Sequence, residues 1–509
     1  MLTDEQLASV DGAYPGYFDA SAGRGPPFDW PHNEARKQAV QGRELASEKL
    51  EPKELELSQE AMHAAAATVE AARRRGDGPI AAVLVMACNR PTYLRRMLTS
   101  LLAVHGGDPR FPTVTVSQDG THVPTADVAN EFVGSHGSLF RLWQHPQVGT
   151  PKLLKRSDNP AYYRIAAHYK WALDRLFKEE QQQRVIILED DMVVRVCVAL
   201  RAHCAHVCVL PFALTPLSPT THPSLQLAPD FFEYFAAMAP VLDADPGGLW
   251  CASSWNDHGQ SKFVGDAAAV YRSDFFPGLG WMLTASTWAS LTAAWPVAFW
   301  DDWMRMNTTR RGRQCLRPEV CRTYNIGRLG ASKGQFYNQF LAPVALNTEF
   351  VHWTAQNLSF LAHGGRYSEL LAALVAAATP VESAPAALSA AASESARDLV
   401  FAYGTPGQYT AFATGLGLMK DLKDGQPRGS YQGVVTIRLH GSTRLFIAPT
   451  EYVHAARSTL VEAVQADWAA VSGGNQTGGP EEAEDGVDGE AVRHAAPVTV
   501  GGQPGQDAL

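Results

Sequence analysis

The sequence predicts an α/β fold built on a mostly parallel sheet, and three stretches carry that expectation. Arg184 to Val194, RVIILEDDMVV, is a continuous run of strand-forming residues ending on Glu189, Asp190 and Asp191. Runs of this kind are covered on both faces, as strands of a parallel sheet are. Ile80 to Ala87, IAAVLVMA, is a second buried strand; it passes through the polar turn Cys88-Asn89-Arg90-Pro91 into the amphipathic helix Tyr93 to Leu102, half of a βαβ nucleotide-binding unit. Thr113 to Ser117, TVTVS, is a third strand and again ends beside an acid, in Gln118-Asp119-Gly120. Ligands of open α/β sheets collect at the carboxyl ends of the strands, so these acids are expected around one crevice.

The remaining elements follow in order. Asn33 to Arg75, charged and Ala-rich, is expected to be largely helical and to act as a stalk or spacer within residues 1–78. Tyr162 to Phe177 has apolar residues at helical spacing around His168, for which a structural role is the first reading. Residues 195–227 look foreign: they lack acids and clear periodicity and are rich in Cys and Pro, and their Cys/His spacing matches no closed zinc pattern. Asp230 to Val241 reads as a helix, Leu249 to Ser254 as a short strand, and Tyr271 to Leu283 as a Gly/aromatic turn leading into an apolar segment. Cys315 to Phe340, rich in Gly and Arg, is expected to form a mobile loop over a phosphorylated ligand, followed by a connector over 341–397 with a low-complexity part. A small α+β unit is expected over 398–455, with strands LVFAY, GVVTIRL and RLFIA and a helix from Ala411 to Leu422. The tail 456–509 is acidic and Gly-rich and is expected to be disordered at least from 473.

Composition limits the function classes. The 509 residues are enough for two or more domains, and 46% apolar with 19% charged content suits a globular core. A formal net charge of -9 without a basic stripe argues against a nucleic-acid partner. No apolar run follows a basic start, so neither a signal peptide nor a membrane anchor is read at the beginning of the chain. Seven cysteines are too few for a disulfide scaffold but allow one or two bridges in an oxidising compartment.

Two acid motifs carry chemistry. Glu189-Asp190-Asp191 is either a solvated acidic turn or a ligand set for Mg²⁺ or Mn²⁺, because adjacent carboxylates raise one another's pKa until a cation neutralises them. In AWPVAFWDDWM, tryptophans flank Asp301 and Asp302. This is either aromatic packing beside two solvated acids or a setting that raises the pKa of one carboxylate for general-base work.

Taken in order, LVMACNRPTYLRRML, FPTVTVSQDG, YYRIAAHYKWAL, ILEDDMVV, APDFFEYF, LWCASSWNDHG, YRSDFFPGLGWML, WPVAFWDDWM and GQPRGSYQGVVTIRLHG resemble glycosyltransferase family 13, a family of β-1,2-N-acetylglucosaminyltransferases. The resemblance implies a Rossmann-like GT-A domain over 79–340 that binds UDP-N-acetylglucosamine with Mn²⁺, and a small C-terminal domain. It implies that Arg90 and Asp119 hold the uridine, His168 the nucleotide sugar, and Ser332 the phosphates from a loop that orders over the donor. Asp190 would face the sugar, Asp191 ligate the metal, and Asp301 serve as catalytic base. The implied reaction transfers N-acetylglucosamine with inversion to the α-1,3-arm mannose of a high-mannose N-glycan, in the Golgi lumen, by a type II membrane protein. The alternatives are transfer to O-linked mannose and a non-catalytic nucleotide-sugar or glycan-binding homologue.

The chain departs from the family pattern in three places. The stretch 195–227 intervenes where family members run directly from EDD to APDFFEYF, and its composition fits translated intervening sequence. The family partner of Cys88 falls at Gly120, which leaves Cys88 free, whereas Cys251 and Cys315 match the other family pair and are expected to form a disulfide. The anchor typical of the family is not seen.

Overall fold

The computed structural model describes residues 59–147, 151–191, 227–326, 337–393 and 397–458. The continuous apolar runs are explained by two cores on opposite faces of one sheet. Strand β1 (Ala82–Ala87) gives Val83, Val85 and Ala87 to one core and Ala82, Leu84 and Met86 to the other, and β4 (Arg184–Glu189) divides in the same way, Ile186 and Leu188 against Val185 and Ile187. A strand apolar on both faces stays ordered only between two helical layers.

Strand β1 leads into helix α2 (Pro91–His105), which follows α1 (Gln59–Arg75). Pro91 starts α2, where the missing N–H costs nothing, and Gly106 ends it in the left-handed region at φ 55°. Next come β2 (Val114–Asp119), α3 (Val123–Ser135), β3 (Phe140–His145), and α4 (Pro160–Asp174), which passes into a π turn over Arg175–Glu179. After β4 and the undescribed stretch 192–226, the chain is again buried at Leu227, whose N–H donates to Ser100 Oγ at 3.0 Å. Helix α5 (Phe231–Ala244) and strands β5 (Leu249–Ser253), β6 (Val270–Ser273) and β7 (Trp281–Thr284) follow, then α6 (Ala285–Leu291), α7 (Trp300–Met304), α8 (Asn307–Arg310) and β8 (Gln314–Pro318). The mixed sheet runs β3-β2-β1-β4-β7-β5-β8-β6; β3, β2, β1 and β4 are parallel, and β7 pairs antiparallel to β4.

The structure departs from the sequence expectation in two ways here. Helix α3 and edge strand β3 are additional elements, and the Gly/Arg-rich stretch expected to be a loop opens as β8, in the sheet interior. Arg317 of β8 is 1% exposed; its Nη2 donates to Gly429 O at 3.0 Å and its guanidinium lies 4.8 Å from the Tyr271 ring centre, while Nε and Nη1 have no hydrogen-bond partner among the described residues. A buried arginine held in this way is invisible to a polarity argument.

Downstream lie α9 (Gly364–Ala377), β9 (Thr379–Pro380), α10 (Ala384–Ala391), β10 (Leu399–Tyr403), α11 (Pro406–Leu416), the hairpin β11 (Leu422–Lys423) and β12 (Gln426–Pro427), β13 (Val435–Leu439), β14 (Thr443–Pro449) and α12 (Thr450–Ser458). A second sheet, β13-β14-β10-β9, packs Val400, Phe446 and Ala448 into the same core as α5 and α9, and closes its other face over α10 and α11. Helix α11 starts and stops earlier than expected. Thr405 forms a capping box with Gln408, and Gly417 ends the helix at φ 80°. Arg438 of β13 fixes this unit to the main sheet, donating to Asp266 at 2.9 Å and to Glu319 at 2.8 Å.

Candidate active site

The register of the parallel strands brings their acidic ends together. Met86 pairs with Glu189, Ala87 with Gln118, and Asp119 with His145, so Cys88 of the next turn lies between Asp119 and the β4 acids. Burial raises the Cys88 thiol pKa, and the charges of Asp119 and Asp190 add to that. Cys88 and the buried Cys321 are both free.

Glu189 accepts a 2.6 Å hydrogen bond from the Tyr169 hydroxyl. Asp190 and Asp191 share one cation, Arg90 from the β1–α2 turn: it pairs with Asp190 Oδ1 and donates to Asp191 Oδ2 at 2.7 Å. Burial raises both Glu189 and Asp190; Asp191 pushes Glu189 further up, while Arg90 acts against the rise at Asp190. Among the described residues Arg90 is the cation that Asp190 and Asp191 share, and Asp190 Oδ2 and Asp191 Oδ1 are buried with no hydrogen-bond partner. Two orphaned hard oxygens fit a divalent cation such as Mg²⁺ or Mn²⁺. Among the described residues no group of three or more His, Cys, Asp and Glu side chains could hold a metal. A cation seated here would take its other ligands from water and phosphate, the usual habit of Mg²⁺ at nucleotide sites.

At the end of β2, both Asp119 oxygens are engaged, one by His145 Nδ1 and the other by Gln147 Nε2, each at 2.8 Å. Burial pushes the Asp119 carboxyl up, but the His145 and Gln147 hydrogen bonds and the nearby His168 ring outweigh it and the net shift is downward. His168 of α4 lies within 2.8 Å of Ser117 Oγ and stacks on His145 with ring centres 5.2 Å apart. Burial lowers its pKa to about 3, so the ring is neutral.

The second pair of acids opens α7. Phe299, directly before it, is a non-glycine residue at φ 52°, held by Tyr162 at a ring separation of 4.8 Å. Trp300 is buried against Tyr169, Trp295 and Trp281 at 4.3, 5.7 and 5.9 Å. The Asp301 side chain is 46% exposed, and its Oδ2 accepts from Arg305 Nη1 at 2.8 Å. The same nitrogen reaches Asp302 Oδ1 at 3.1 Å, where Lys423 of the β11 hairpin also lies at 3.0 Å. Burial pushes Asp302 up, but Arg305 and Lys423 outweigh it and hold the carboxyl below its usual value. Of the two acids, Asp302 is therefore not one whose pKa the aromatic setting raises.

Tyr169 ties the two regions together. Its hydroxyl is bonded to Glu189, its ring lies on Trp300, and both Asp191 and Asp301 act electrostatically on it, behind burial and Glu189 in size. Arg90, Asp119, His168, Asp190 and Asp191 thus line the strand ends, with Asp301 across Tyr169 from them. Ser332 lies outside the described residues. Cys251 and Cys315 form a disulfide between paired positions of β5 and β8. Sequence reasoning missed His145, Gln147, Arg305 and Lys423. Only Arg305 had a signal, its i,i+4 spacing from Asp301.

Residues 34–196 and 220–459 match the GNT-I family, and the gap between the two segments falls inside the foreign stretch. The chain belongs to the GNT-I family. A curated relative, alpha-1,3-mannosyl-glycoprotein 2-beta-N-acetylglucosaminyltransferase of Arabidopsis thaliana, is 39% identical over 378 residues, 74% of this chain and 76% of the relative. Two solved structures are more distantly similar to this GNT-I family chain. A mannosyltransferase from Pyrobaculum calidifontis in complex with GDP-Man and Mn²⁺ has 12% identity and a TM-score of 0.29, covering 51% of this chain and 65% of that one. The galactosyltransferase LgtC in complex with donor and acceptor sugar analogs has 18% identity and a TM-score of 0.20, covering 41% and 59%.

Proposed function

We propose that this GNT-I family chain is an inverting, divalent-cation-dependent glycosyltransferase. It moves N-acetylglucosamine from UDP-N-acetylglucosamine in β-1,2 linkage to the α-1,3-arm mannose of high-mannose N-glycans, the step that begins hybrid and complex N-glycan synthesis. The observation that carries this reading is Tyr169, whose hydroxyl is bonded to Glu189 beside the Asp190-Asp191 pair and whose ring lies 4.3 Å from that of Trp300, the neighbour of Asp301. Inversion needs a base on one side of the anomeric carbon and stabilisation of the leaving diphosphate on the other. Asp301, open to solvent, takes the proton of the mannose hydroxyl as the new bond to C1 forms and the bond from C1 to the diphosphate oxygen breaks, releasing UDP. Asp191 would hold Mn²⁺ through its free oxygen, with Asp190 facing the sugar, and the metal when bound would supply Lewis-acid stabilisation of the diphosphate. Arg90 and Asp119 hold the uridine, with Asp119 oriented by His145 and Gln147. The neutral His168 contacts the nucleotide sugar as a hydrogen-bonding group, and Ser332 contacts the phosphates.

The proposed setting is the Golgi lumen, with a type II membrane anchor inferred from family resemblance; no helix among the described residues is long and apolar enough to cross a membrane. The test is transfer of radiolabelled N-acetylglucosamine from UDP-N-acetylglucosamine to a five-mannose N-glycan, with and without Mn²⁺. The reading expects cation-dependent transfer. Turnover only on O-linked mannose would overturn the acceptor assignment, and donor binding without turnover on any acceptor would overturn the enzyme assignment.

A further inference from the structure

Asp301 sits in a row of alternating charges whose last member comes from a distant part of the chain. Arg305 Nη1 lies 2.8 Å from Asp301 and 3.1 Å from Asp302, and Lys423 Nζ lies 3.0 Å from the same Asp302 oxygen. Both cations are anchored independently. Arg305 is buried, donates through Nε to Phe276 O at 3.2 Å, and lies 5.1 Å from the Phe275 ring centre. Lys423 is carried by the β11–β12 hairpin, in which it pairs with Gln426. Asp424, at φ 48° in the hairpin turn, accepts from the Asn307 backbone N–H at 2.6 Å at the start of α8. The hairpin is thus docked on the segment that follows the acids.

We infer that Lys423 is a positioning residue for Asp301, acting through Asp302 and Arg305, so that the C-terminal part of the chain completes the acceptor side of the active site. The inference rests on Asp301 being the base. A carboxylate bound to an unshared guanidinium is held in place but is a poor base, whereas here Asp302 shares the guanidinium. Lys423 in turn limits the share that Asp302 takes. Without Lys423, the uncompensated Asp302 charge draws Arg305 away, so Asp301 loses part of its anchor and gains negative potential. Two consequences follow: a lower limiting rate, and an acid limb of the pH–rate profile displaced to higher pH. Among the described residues the other groups facing this row are Arg428, which acts on Asp302 and Arg305, Asp257, which acts on Arg305, Asp421, which interacts with Lys423, and the hydroxyls of Tyr162 and Tyr169. None of them contacts the Asp302 oxygen that Lys423 holds.

The test compares the parent with Lys423→Met, Lys423→Arg and Asp301→Asn in the full chain with Mn²⁺, measuring kcat and donor KM against pH together with Tm. Lys423→Met is expected to lose about 10-fold in kcat and to move the acid limb upward by about half a pH unit, with donor KM unchanged. Lys423→Arg is expected to restore both. An unmoved acid limb in Lys423→Met overturns the inference, even when kcat falls along with Tm, because a purely structural role changes the amount of active enzyme and not its pH dependence. Asp301→Asn separates the two levels. Transfer at the parent rate in that variant overturns the base assignment itself, while loss of transfer beside an unaltered Lys423→Met overturns only the role given to Lys423.

Discussion

Two aspartate pairs of this chain sit in opposite environments. Asp190-Asp191 ends a strand apolar on both faces, so its carboxylates are buried, share one guanidinium and keep two orphaned oxygens. Asp301-Asp302 opens a short helix at the surface end of a tryptophan cluster and meets two cations, with Asp301 half exposed. The first pair shares a single guanidinium and keeps two oxygens unpartnered. The second already has its positive charge and presents a carboxylate to solvent. Identical residue types are given different chemistry by burial and by the number of fixed cations nearby.

The largest effect separating the pairs is expected from Asp191→Asn. It removes the charge that completes the cation site, so Mn²⁺ binding measured by calorimetry is lost and transfer falls by about 100-fold or more. Mn²⁺ affinity equal to the parent's would show that the buried pair is not the cation site. Next is Arg90→Met, which leaves the strand-end acids without their cation. The expected outcome is a loss of about 2 kcal/mol in chemical denaturation, discounted because Arg90 is partly exposed, and a larger rise in Tm on adding Mn²⁺ than the parent shows. An equal Tm response in both proteins would contradict the role of Arg90 as the cation the two acids share.

A further test, per pH unit the smallest in effect, concerns the neutral histidine near Asp119. The folded state holds His168 at about 3 against an ordinary 6.5, so its contribution is fully present above pH 6.5 and is lost as pH falls from there toward 3. The stability gap between the parent and His168→Gln should narrow by about 1.4 kcal/mol per pH unit below 6.5. A gap independent of pH would mean that the ring is not held neutral.

The buried region was legible in the sequence and the exposed one only in part, for physical reasons. Strands β1, β2 and β4 lie inside the sheet, and a continuous apolar run that stops on acids fits little else than a buried strand reaching a crevice. Strand β3 is an edge strand in which Phe140 and Trp143 are buried but Arg141, Leu142, Gln144 and His145 are not, so no run marks it. The Asp119 partners His145 and Gln147 went unseen with it. At the other end, Asp301 and Arg305 are four residues apart and readable, but Lys423 is more than 100 residues downstream on a two-residue strand. No local pattern announces such a contact; it exists because the chain after β8 folds back and Gly417 stops α11 early enough to free the hairpin.

The central claim is that Asp301 acts on the acceptor while the strand-end acids hold the donor. The most direct measurement is calorimetric titration of Asp301→Asn with UDP-N-acetylglucosamine and Mn²⁺, with transfer assayed on the same sample. The account predicts donor binding close to the parent's and transfer reduced by about 100- to 10,000-fold. Transfer at the parent rate, or loss of donor binding together with transfer, would contradict it.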